Sequence, residues 1–382
     1  MHETMLDQEL RDFKDSARKW IEKEVSPFHE KWEHDGITPK DIYKNAGSQG
    51  LLCITQAEEF GGLGLDYRFA SILTEEMGYA MASGLALFLH SDIVVPYLEH
   101  YGSQEQKMRW LPGCTSGEII SAIAMTEPGT GSDLQNIQTK AERQGDDWII
   151  NGSKTFISNG INANLIVVCA RTEKKSAGQK FTPLSLFVVE EGMPGFERGR
   201  NLDKIGMKAQ DTAELFFHNC RVPAKNLLGE DGQGFIYLNN ELAQERLAVA
   251  GFCLGYAKRC LDETIGYVKQ RQAFGKNISE FQNTRFKLAH IATQIEAAEC
   301  MLDYHISLHI QKKCTAAQAS MSKLFVTEVF GQTADECLQL FGGHGYMSEF
   351  PISKAFVDAR VQRIFAGTNE IMKEIIARQL LR

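Results

Sequence analysis

The chain has 382 residues, of which 43% are hydrophobic and 24% are charged, and this composition excludes wholesale disorder. The 41 basic and 49 acidic residues leave a formal net charge of −8 without a long basic run, so we expect neither nucleic acid nor an anionic membrane as the main partner. No apolar run approaches the roughly 20 residues that a membrane-spanning helix needs, and we predict no membrane span.

The nine cysteines are scattered along the chain without a Cys-x-x-Cys pair, which favours free thiols in a reducing compartment. The chain starts Met1-His2-Glu3 and shows neither the apolar stretch of a signal peptide nor the arginines of a transit peptide. We therefore expect a cytoplasmic protein if the source is bacterial, or the mature form of an organellar protein.

Residues 1–118 have helical periodicity and are predicted to form an all-α N-terminal domain. Pro27 should end the first helix, and further helices are predicted near residues 39–50, 67–82, 84–101 and 104–112. The apolar face of the first helix consists of Leu6, Leu10, Phe13, Ala17, Trp20, Ile21 and Val25.

Residues 119–228 change to short apolar runs that are typical of β-strands. Asn151-Gly152 and Asn159-Gly160 flank one such run, and Asn-Gly is a strong local signal for a hairpin turn. Because few helical patterns intervene, we predict a central antiparallel β-barrel or sandwich. The other predicted strands are residues 119–125, 148–150, 165–170, 184–189 and 213–217.

Helical patterns return after Pro223, and residues 229–382 are predicted to form a C-terminal helical bundle. The whole chain is therefore predicted to be an α+β protein of three domains. The predicted helices of the bundle are residues 233–271, 278–313, 315–341, 350–363 and 368–381.

Three glycine-containing segments could contact a ligand, although each also has a structural explanation. Residues 126–133 follow a strand and offer hydroxyls and exposed amides, but they lack a complete dinucleotide or phosphate-loop fingerprint, so an ordinary turn is favoured. Residues 339–346 have the composition of a glycine-rich helix C-cap, in which His344 is structural. Residues 366–370 open the last helix with Thr368 as a predicted N-cap.

Two charged residues fall inside the apolar stripe of the helix through residues 238–260. At 100° per residue, Glu245 and Arg246 lie within ~60° of the centre of the stripe, whereas Glu241 lies ~100° away. A charge there is seldom buried unless it is paired or functional. Pairing with another segment and a function as a base of raised pKa both remain open. The stripe is formed by Leu242, Val249, Cys253, Tyr256 and Cys260.

Other chemistries find little support in the sequence. His305 and His309 are four residues apart on a helix, but no third ligand accompanies them, and we predict no metal site. No Gly-x-Ser-x-Gly elbow occurs, and no cysteine stands beside an obvious base.

Taken in chain order, these segments resemble the acyl-CoA dehydrogenase family of flavoenzymes over essentially the whole chain. The resemblance implies the same order of helical, β and helical domains. It also implies FAD as the cofactor and a saturated acyl-CoA as the substrate, oxidised to trans-2-enoyl-CoA in fatty acid β-oxidation. An electron-transfer flavoprotein is the implied acceptor, a homotetramer built as a dimer of dimers is the implied assembly, and the mitochondrial matrix is the implied compartment of a mature eukaryotic form. The motifs that carry it are residues 124–133, 152–160, 271–276, 339–345 and 367–370.

The resemblance also implies which residues contact FAD and the substrate. Phe156 stands where many relatives place a tryptophan, and Ser158 replaces the usual threonine. The flavin ring is expected against Ile123, Met125, Thr126, Gly131, Ser132, Phe156, Ile157 and Ser158. The diphosphate and adenosine are expected to be reached from a neighbouring subunit by Arg271, Phe274, Gln282, Gln339 and Gly343, and Leu340, Gly342, Thr368 and Glu370 complete the cofactor set. The expected substrate contacts are Ser132, Gln244, Arg246 and Gly367.

One departure from the family pattern concerns the catalytic base. Many relatives carry the catalytic glutamate immediately before the last Gly-Thr pair, where this chain has Ala366. Long-chain and isovaleryl relatives place it on the bundle helix, and Glu245 matches that position. Glu245 would remove the α-proton while the β-hydrogen leaves as hydride to flavin N5, and the backbone N–H of Ala366 would still stabilise the thioester oxyanion.

The sequences of residues 206–217 and 367–374 resemble those of long-chain members of the family, so a medium- to long-chain acyl-CoA is the leading substrate. A short- or branched-chain enzyme of the isovaleryl type would use the same base and remains an alternative. A related oxidase that reduces O₂ is another. A non-catalytic relative that binds FAD or CoA, or one associated with nucleic acid, is a further alternative that Ala366 motivates.

Overall fold

The computed structural model describes residues 1–172 and 183–381, so Arg382, the end of the third predicted domain, lies outside the described residues. The first part of the chain is helical, as predicted. A π-helical segment, Leu89–Val94, leads directly into the fifth helix. The helices are α1 (Gln8–Glu24), α2 (Ser26–Asp35), α3 (Asp41–Ser48), α4 (Tyr67–Tyr79), α5 (Val95–Tyr101) and α6 (Gln104–Ser116).

Helix α1 begins at a cap and buries the predicted apolar face. The side chain of Asp7 accepts a hydrogen bond from the Leu10 N–H at 3.0 Å. All members of the face are buried except Phe13, which is half-buried. Pro27 ends α1 as predicted, but it also lies in the first turn of α2, which the sequence analysis missed, because proline is well tolerated at the start of a helix.

The middle of the chain forms one eight-stranded sheet in the order β6-β7-β3-β2-β4-β5-β8, with β1 paired to β4. Most ladders are antiparallel, as predicted, whereas β1 pairs with β4 in parallel and β2 makes one parallel bridge to β4. The strands are β1 (Ser121–Ala124), β2 (Lys140–Gln144), β3 (Asp147–Ser158), β4 (Leu165–Arg171), β5 (Leu184–Glu190), β6 (Phe196–Asn201), β7 (Thr212–Pro223) and β8 (Leu227–Leu228).

The predicted turn at Asn151-Gly152 is wrong, because both residues lie inside β3. The ladder between β3 and β7 shifts register here, because Ile150 faces Cys220 and Gly152 faces Phe217, so the pair lies opposite a bulge of β7 and not in a hairpin turn. A Cβ at residue 152 would lie 2.7 Å from the Cα of Thr139, which requires glycine there. The turn that joins β2 to β3 lies instead at residues 145–146.

The rest of the chain is helical apart from a small hairpin, β9 (Gln272–Ala273) and β10 (Lys276–Asn277), that the sequence analysis missed. The long helix α7 packs against α4, α8 and α9 and is buried along most of its length. None of the helices in the described part of the chain combines the length and apolarity that a membrane crossing requires. The helices are α7 (Gly234–Gln270), α8 (Gln282–Ile310), α9 (Ala316–Phe341), α10 (Pro351–Gln362) and α11 (Asn369–Leu380).

The contact between α4 and α7 brings the two backbones unusually close. A Cβ at Gly78 would lie 2.1 Å from the Phe252 carbonyl oxygen, and a Cβ at Gly255 would lie 2.0 Å from that of Glu75. Only glycine fits at these two positions, and the crossing fixes the N-terminal helices against the helix that carries Glu245.

Candidate active site

Glu245 is the first residue of the continuously buried stretch of α7, residues 245–257, and its side chain has no ion pair among the described residues. The residue is 8% exposed, and Oε2 has no hydrogen-bond partner in the described part of the chain. Burial raises the pKa of Glu245 to about 7, although the positive charges of Arg246 and Lys323 act in the opposite direction. The structure therefore does not support the alternative in which the Glu245 carboxyl group pairs with another segment of the chain.

Two further buried polar groups near Glu245 also lack partners. The Nε of Arg246 and the hydroxyl of Tyr97 on α5 make no hydrogen bond within the described residues. Burial, reinforced by the charge of Glu245, raises the pKa of Tyr97. Because buried polar groups in native proteins are nearly always bonded, this cluster of open donors and acceptors is suited to a polar ligand.

Gln244 connects α7 to two other elements. Its side-chain amide donates to the Asp92 carbonyl oxygen at 2.8 Å, and its Oε1 lies 2.9 Å from the Nε2 of His309 on α8. The side-chain nitrogen and oxygen of Gln244, a predicted substrate contact, thus both have partners within the protein. His305 lies 2.7 Å from the Ser322 hydroxyl, so the two histidines considered as metal ligands have different partners. No potential metal site of three or more His, Cys, Asp or Glu residues occurs among the described residues.

Glu241 is also buried, although it was predicted to lie outside the apolar stripe. Its Oε1 accepts a hydrogen bond from the Tyr101 hydroxyl at 2.8 Å and lies 2.9 Å from the Nδ1 of His100. Glu241 is buried because other elements contact α7 on several sides, so residues outside the apolar stripe are covered as well.

The turn between α10 and α11 has an unusual backbone. Ala366 has φ +55° and Gly367 has φ +85°, so two successive residues are left-handed. Thr368 caps α11, as predicted, by accepting a hydrogen bond from the Ile371 N–H at 3.3 Å. The Ala366 N–H donates to no acceptor among the described residues. Lys323 on α9 donates to the Gly367 carbonyl oxygen at 2.9 Å and so holds the turn from the side.

An exposed aromatic side chain, Phe156, lies on the middle sheet beside residues that carry hydroxyl groups. Phe156 is 67% exposed at φ +59°, while Thr126 and Ser158 are half-buried. The Thr155 N–H donates to the Thr126 carbonyl oxygen at 3.0 Å and joins the two predicted cofactor segments. Ile157 points into the core, so only its main chain is available to a ligand. An exposed aromatic ring beside hydroxyls and amides fits a flat heteroaromatic group such as the isoalloxazine of FAD.

The strand that carries Phe156, β3, is fixed to residues 125–127 by a buried ion pair that was not predicted from the sequence. Lys154 donates to Glu127 Oε1 at 2.9 Å and to the Met125 carbonyl oxygen at 3.0 Å. Glu127 in turn accepts hydrogen bonds from the Gln138 and Thr139 N–H groups. The signal was present in the alternation of β3, where Lys154 is in phase with Trp148 and Ile150, which point inward.

A second group of predicted cofactor residues meets at the far ends of α7 and α9. Arg271, Leu340, Gly342 and Gly343 line one open groove together with Tyr267. The Tyr267 hydroxyl donates to the Phe341 carbonyl oxygen at 3.1 Å and lies 3.0 Å from His344 Nδ1, in line with a structural His344. The remaining predicted members of this group, Phe274, Gln282, Gln339 and Glu370, are all exposed.

An apolar cavity lies between α4 and the π-helical segment. Leu73 and Met77 contribute from α4, and Leu87, Phe88 and Asp92 contribute from the other side. Asp92 is buried, and burial raises its pKa to about 7. The hydrogen bond from Gln244 to the Asp92 carbonyl connects the cavity wall to the helix turn that carries Glu245.

The structure places one cysteine beside a histidine, which the sequence did not reveal. Cys53 Sγ lies 3.8 Å from His90 Nε2. Burial raises the pKa of Cys53 and lowers that of His90 to about 4, so both groups are neutral and no reactive thiolate forms.

Comparison with known proteins shows which family the chain belongs to. Models of the N-terminal, middle and C-terminal domains of acyl-CoA dehydrogenases match residues 7–118, 122–220 and 232–381. The mitochondrial long-chain specific acyl-CoA dehydrogenase of Rattus norvegicus is 48% identical over 369 residues, which are 97% of this chain and 86% of that protein.

Solved structures show the same likeness. A crystal structure of an acyl-CoA dehydrogenase from Geobacillus kaustophilus has a TM-score of 0.96 at 47% identity and covers 98% of this chain and 99% of its own. An acyl-CoA dehydrogenase from Bacillus anthracis in complex with FAD has a TM-score of 0.93 at 30% identity and covers 100% of this chain and 69% of its own. The predicted α+β fold is thereby confirmed, and the chain belongs to the acyl-CoA dehydrogenase family of FAD-dependent oxidoreductases.

Proposed function

We propose that the protein oxidises a saturated acyl-CoA to the trans-2-enoyl-CoA, with Glu245 as the base that removes the α-proton. The observation that carries this proposal is the buried carboxyl group of Glu245, whose Oε2 has no partner in the described chain. Ala366 occupies the position before the last Gly-Thr pair and has no acid to offer, so a base must come from elsewhere.

The environment of Glu245 suits proton abstraction at neutral pH. A carboxylate that has already lost its water is more basic than one in solution, and a pKa of about 7 leaves about half of it ionised at pH 7. Arg246 and Lys323 keep the charged form accessible despite the burial.

The α-proton of the substrate is only weakly acidic. Hydrogen-bond donors must therefore stabilise the negative charge that develops on the thioester oxygen when this proton is removed. The N–H of Ala366 is the donor that we assign, and its lack of an acceptor among the described residues supports this role. FAD, when bound, supplies the acceptor for the β-hydrogen as hydride at N5. Thr126, Phe156 and Ser158 are the residues that we expect to hold and orient its ring.

For the substrate, we favour a medium- to long-chain acyl-CoA. The sequence of residues 206–217, which resembles that of long-chain members of the family, supports this choice. A short- or branched-chain substrate of the isovaleryl type is the second candidate, because Glu245 would serve it equally well. We propose an electron-transfer flavoprotein as the acceptor of the electrons and a homotetramer as the assembly.

Anaerobic titration of the FAD-loaded protein with acyl-CoAs of graded length and branching tests the proposal. We expect substrate to bleach the flavin absorbance, and the chain length with the largest kcat/KM defines the substrate. A protein that binds FAD but is bleached by no acyl-CoA would be a non-catalytic relative. Peroxide release in air without another acceptor would instead indicate an oxidase.

A further inference from the structure

Lys323 is a fully buried lysine of α9 that forms no ion pair with a carboxylate among the described residues. Its Nζ donates to the Gly367 carbonyl oxygen and to Asn369 Oδ1, each at 2.9 Å. Buried lysines are rare and usually sit against a carboxylate, because desolvating the ammonium group is unfavourable. Here the charge is directed at the main chain of the turn that contains Ala366.

The turn needs such support. Ala366 is left-handed at φ +55°, a region that a residue with a Cβ seldom occupies, and Gly367 follows at φ +85°. A strained backbone persists only when its surroundings hold it in place. Because Lys323 bonds the Gly367 carbonyl, it restrains the peptide unit between Gly367 and Thr368, which lies in the same turn as the Ala366 N–H.

Asn369 completes the restraint from the start of α11. Its Nδ2 donates to Glu328 Oε1 at 2.8 Å and to the Thr327 hydroxyl at 3.1 Å, while its Oδ1 accepts from Lys323. Its side chain is therefore oriented by three residues of α9. Lys323 and Asn369 together form what we call the turn clamp.

Lys323 also acts on Glu245 through its charge. Its ammonium group favours the ionised form of Glu245 and opposes the effect of burial. Arg246 contributes a second positive charge from α7. The other titratable groups that act on Lys323 or Glu245 are Cys253 of α7, Tyr97 of α5, Glu328 of α9 and Glu370 of α11.

We propose that Lys323 is a positioning residue with two effects on one reaction: its hydrogen bond to the Gly367 carbonyl holds the turn that carries the Ala366 N–H, and its positive charge favours the ionised form of Glu245. The inference rests on the proposed function, since it assigns a role within the same site. It explains why a lysine is buried at this point without a carboxylate partner. It also links the base on α7 to the oxyanion donor after α10, two elements that are distant in sequence.

The test compares Lys323→Met and Lys323→Arg with Asn369→Ala, which weakens the clamp without changing the charge. The rate of flavin reduction by a saturated acyl-CoA is followed as a function of pH. Lys323→Met should lower the maximal rate about 10- to 100-fold and move the acid limb about one unit to higher pH. Asn369→Ala should lower the rate without moving the acid limb of the pH profile. Lys323→Arg should return the acid limb to its wild-type pH.

A second readout needs no redox chemistry. A 3-oxoacyl-CoA has an acidic C2 proton and its enolate absorbs in the ultraviolet, so the bound enolate reports stabilisation of the oxyanion. We expect about tenfold less enolate at a given pH in Lys323→Met and in Asn369→Ala than in the wild type. FAD content and thermal unfolding show whether each variant is folded.

Two results would overturn the inference. One is a Lys323→Met enzyme whose acid limb and enolate signal equal those of the wild type. The other applies if Lys323→Met does not fold: an Asn369→Ala enzyme that forms as much enolate as the wild type would also overturn the inference. A wild type that no acyl-CoA reduces would instead contradict the proposed function, so the two failures are distinguishable.

Discussion

Two glutamates one helical turn apart show how surroundings decide what a buried carboxyl group does. Glu241 and Glu245 both lie on α7 and are both buried. Glu241 is bonded to Tyr101 and lies against His100, whereas Glu245 Oε2 has no partner in the described chain. The Glu241 carboxyl group therefore stabilises the fold, whereas the Glu245 carboxyl group is free to contact a substrate.

At this scale the pH dependence of the reaction is a direct prediction. Burial raises the pKa of Glu245 to about 7, so the ionised base is lost as the pH falls through that value. We expect the rate of flavin reduction to level off above about pH 8 and to fall about tenfold per unit well below pH 7. Rapid mixing under anaerobic conditions measures this rate. A rate that stays constant down to about pH 5 would be incompatible with Glu245 as the base.

At the scale of elements, the crossing of α4 and α7 sets the position of the site. Gly78 and Gly255 allow the two backbones to touch, and the bond from Gln244 to Asp92 ties α7 to the π-helical segment. On the other side of α7, the turn clamp of α9 holds the last turn. The site is therefore assembled by contacts between helices that are far apart in the sequence.

Two glycines of α7, one turn apart, give a matched test of this crossing. A Cβ at Gly255 would collide with the Glu75 carbonyl oxygen at 2.0 Å, whereas a Cβ at Gly251 would meet nothing closer than 3.9 Å. We expect Gly255→Ala to lower the free energy of unfolding by about 3 kcal/mol through overpacking. Gly251→Ala should be neutral or stabilise by up to about 1 kcal/mol through helix propensity. Thermal or urea unfolding of the holoenzyme measures both, and equal effects of the two changes would contradict the packing described.

At the scale of the whole molecule, the two groups of predicted FAD residues lie on different parts of the chain. One is the exposed surface of Phe156 on the middle sheet, and the other is the groove at Arg271 and Gly343. Phe274 and Tyr346, which follow the groove residues Arg271 and His344 closely in sequence, are exposed. Because exposed apolar patches are typical of interfaces between subunits, we expect these two side chains to form such a patch.

We therefore expect assembly and FAD retention to fail together when this patch is changed. Phe274 is 95% exposed, and Phe274→Ser should shift the protein toward smaller species and release FAD at least about tenfold more readily. Met108→Ser, a change at an exposed apolar residue of α6, is the control and should alter neither property. Sedimentation and the flavin absorbance of the gel-filtered protein measure them. Full assembly and full flavin content in Phe274→Ser would refute this expectation.

The sequence was sufficient for features that depend on local patterns. The buried face of α1, the long bundle helices and the burial of Glu245 all follow from helical periodicity. The parallel pairing of β1 and the burial of Glu241 depend on contacts between distant segments, which no local pattern records.

Lys323 is an intermediate case. It is in phase with the buried residues Ala319, Val326 and Phe330 of α9, so the signal that revealed Glu245 was present here as well. Its partners, Gly367 and Asn369, follow from the fold alone.

The most direct measurement compares Glu245→Gln with Glu241→Gln in anaerobic titrations with an acyl-CoA that bleaches the wild type. Both variants replace a buried carboxyl group on the same helix with an amide of the same size. We expect Glu245→Gln to bind FAD normally and to lose at least about 10³-fold in the rate of bleaching, because an amide accepts no proton. Glu241→Gln should retain most of the rate. Near-normal bleaching of the Glu245→Gln enzyme would show that another group removes the α-proton.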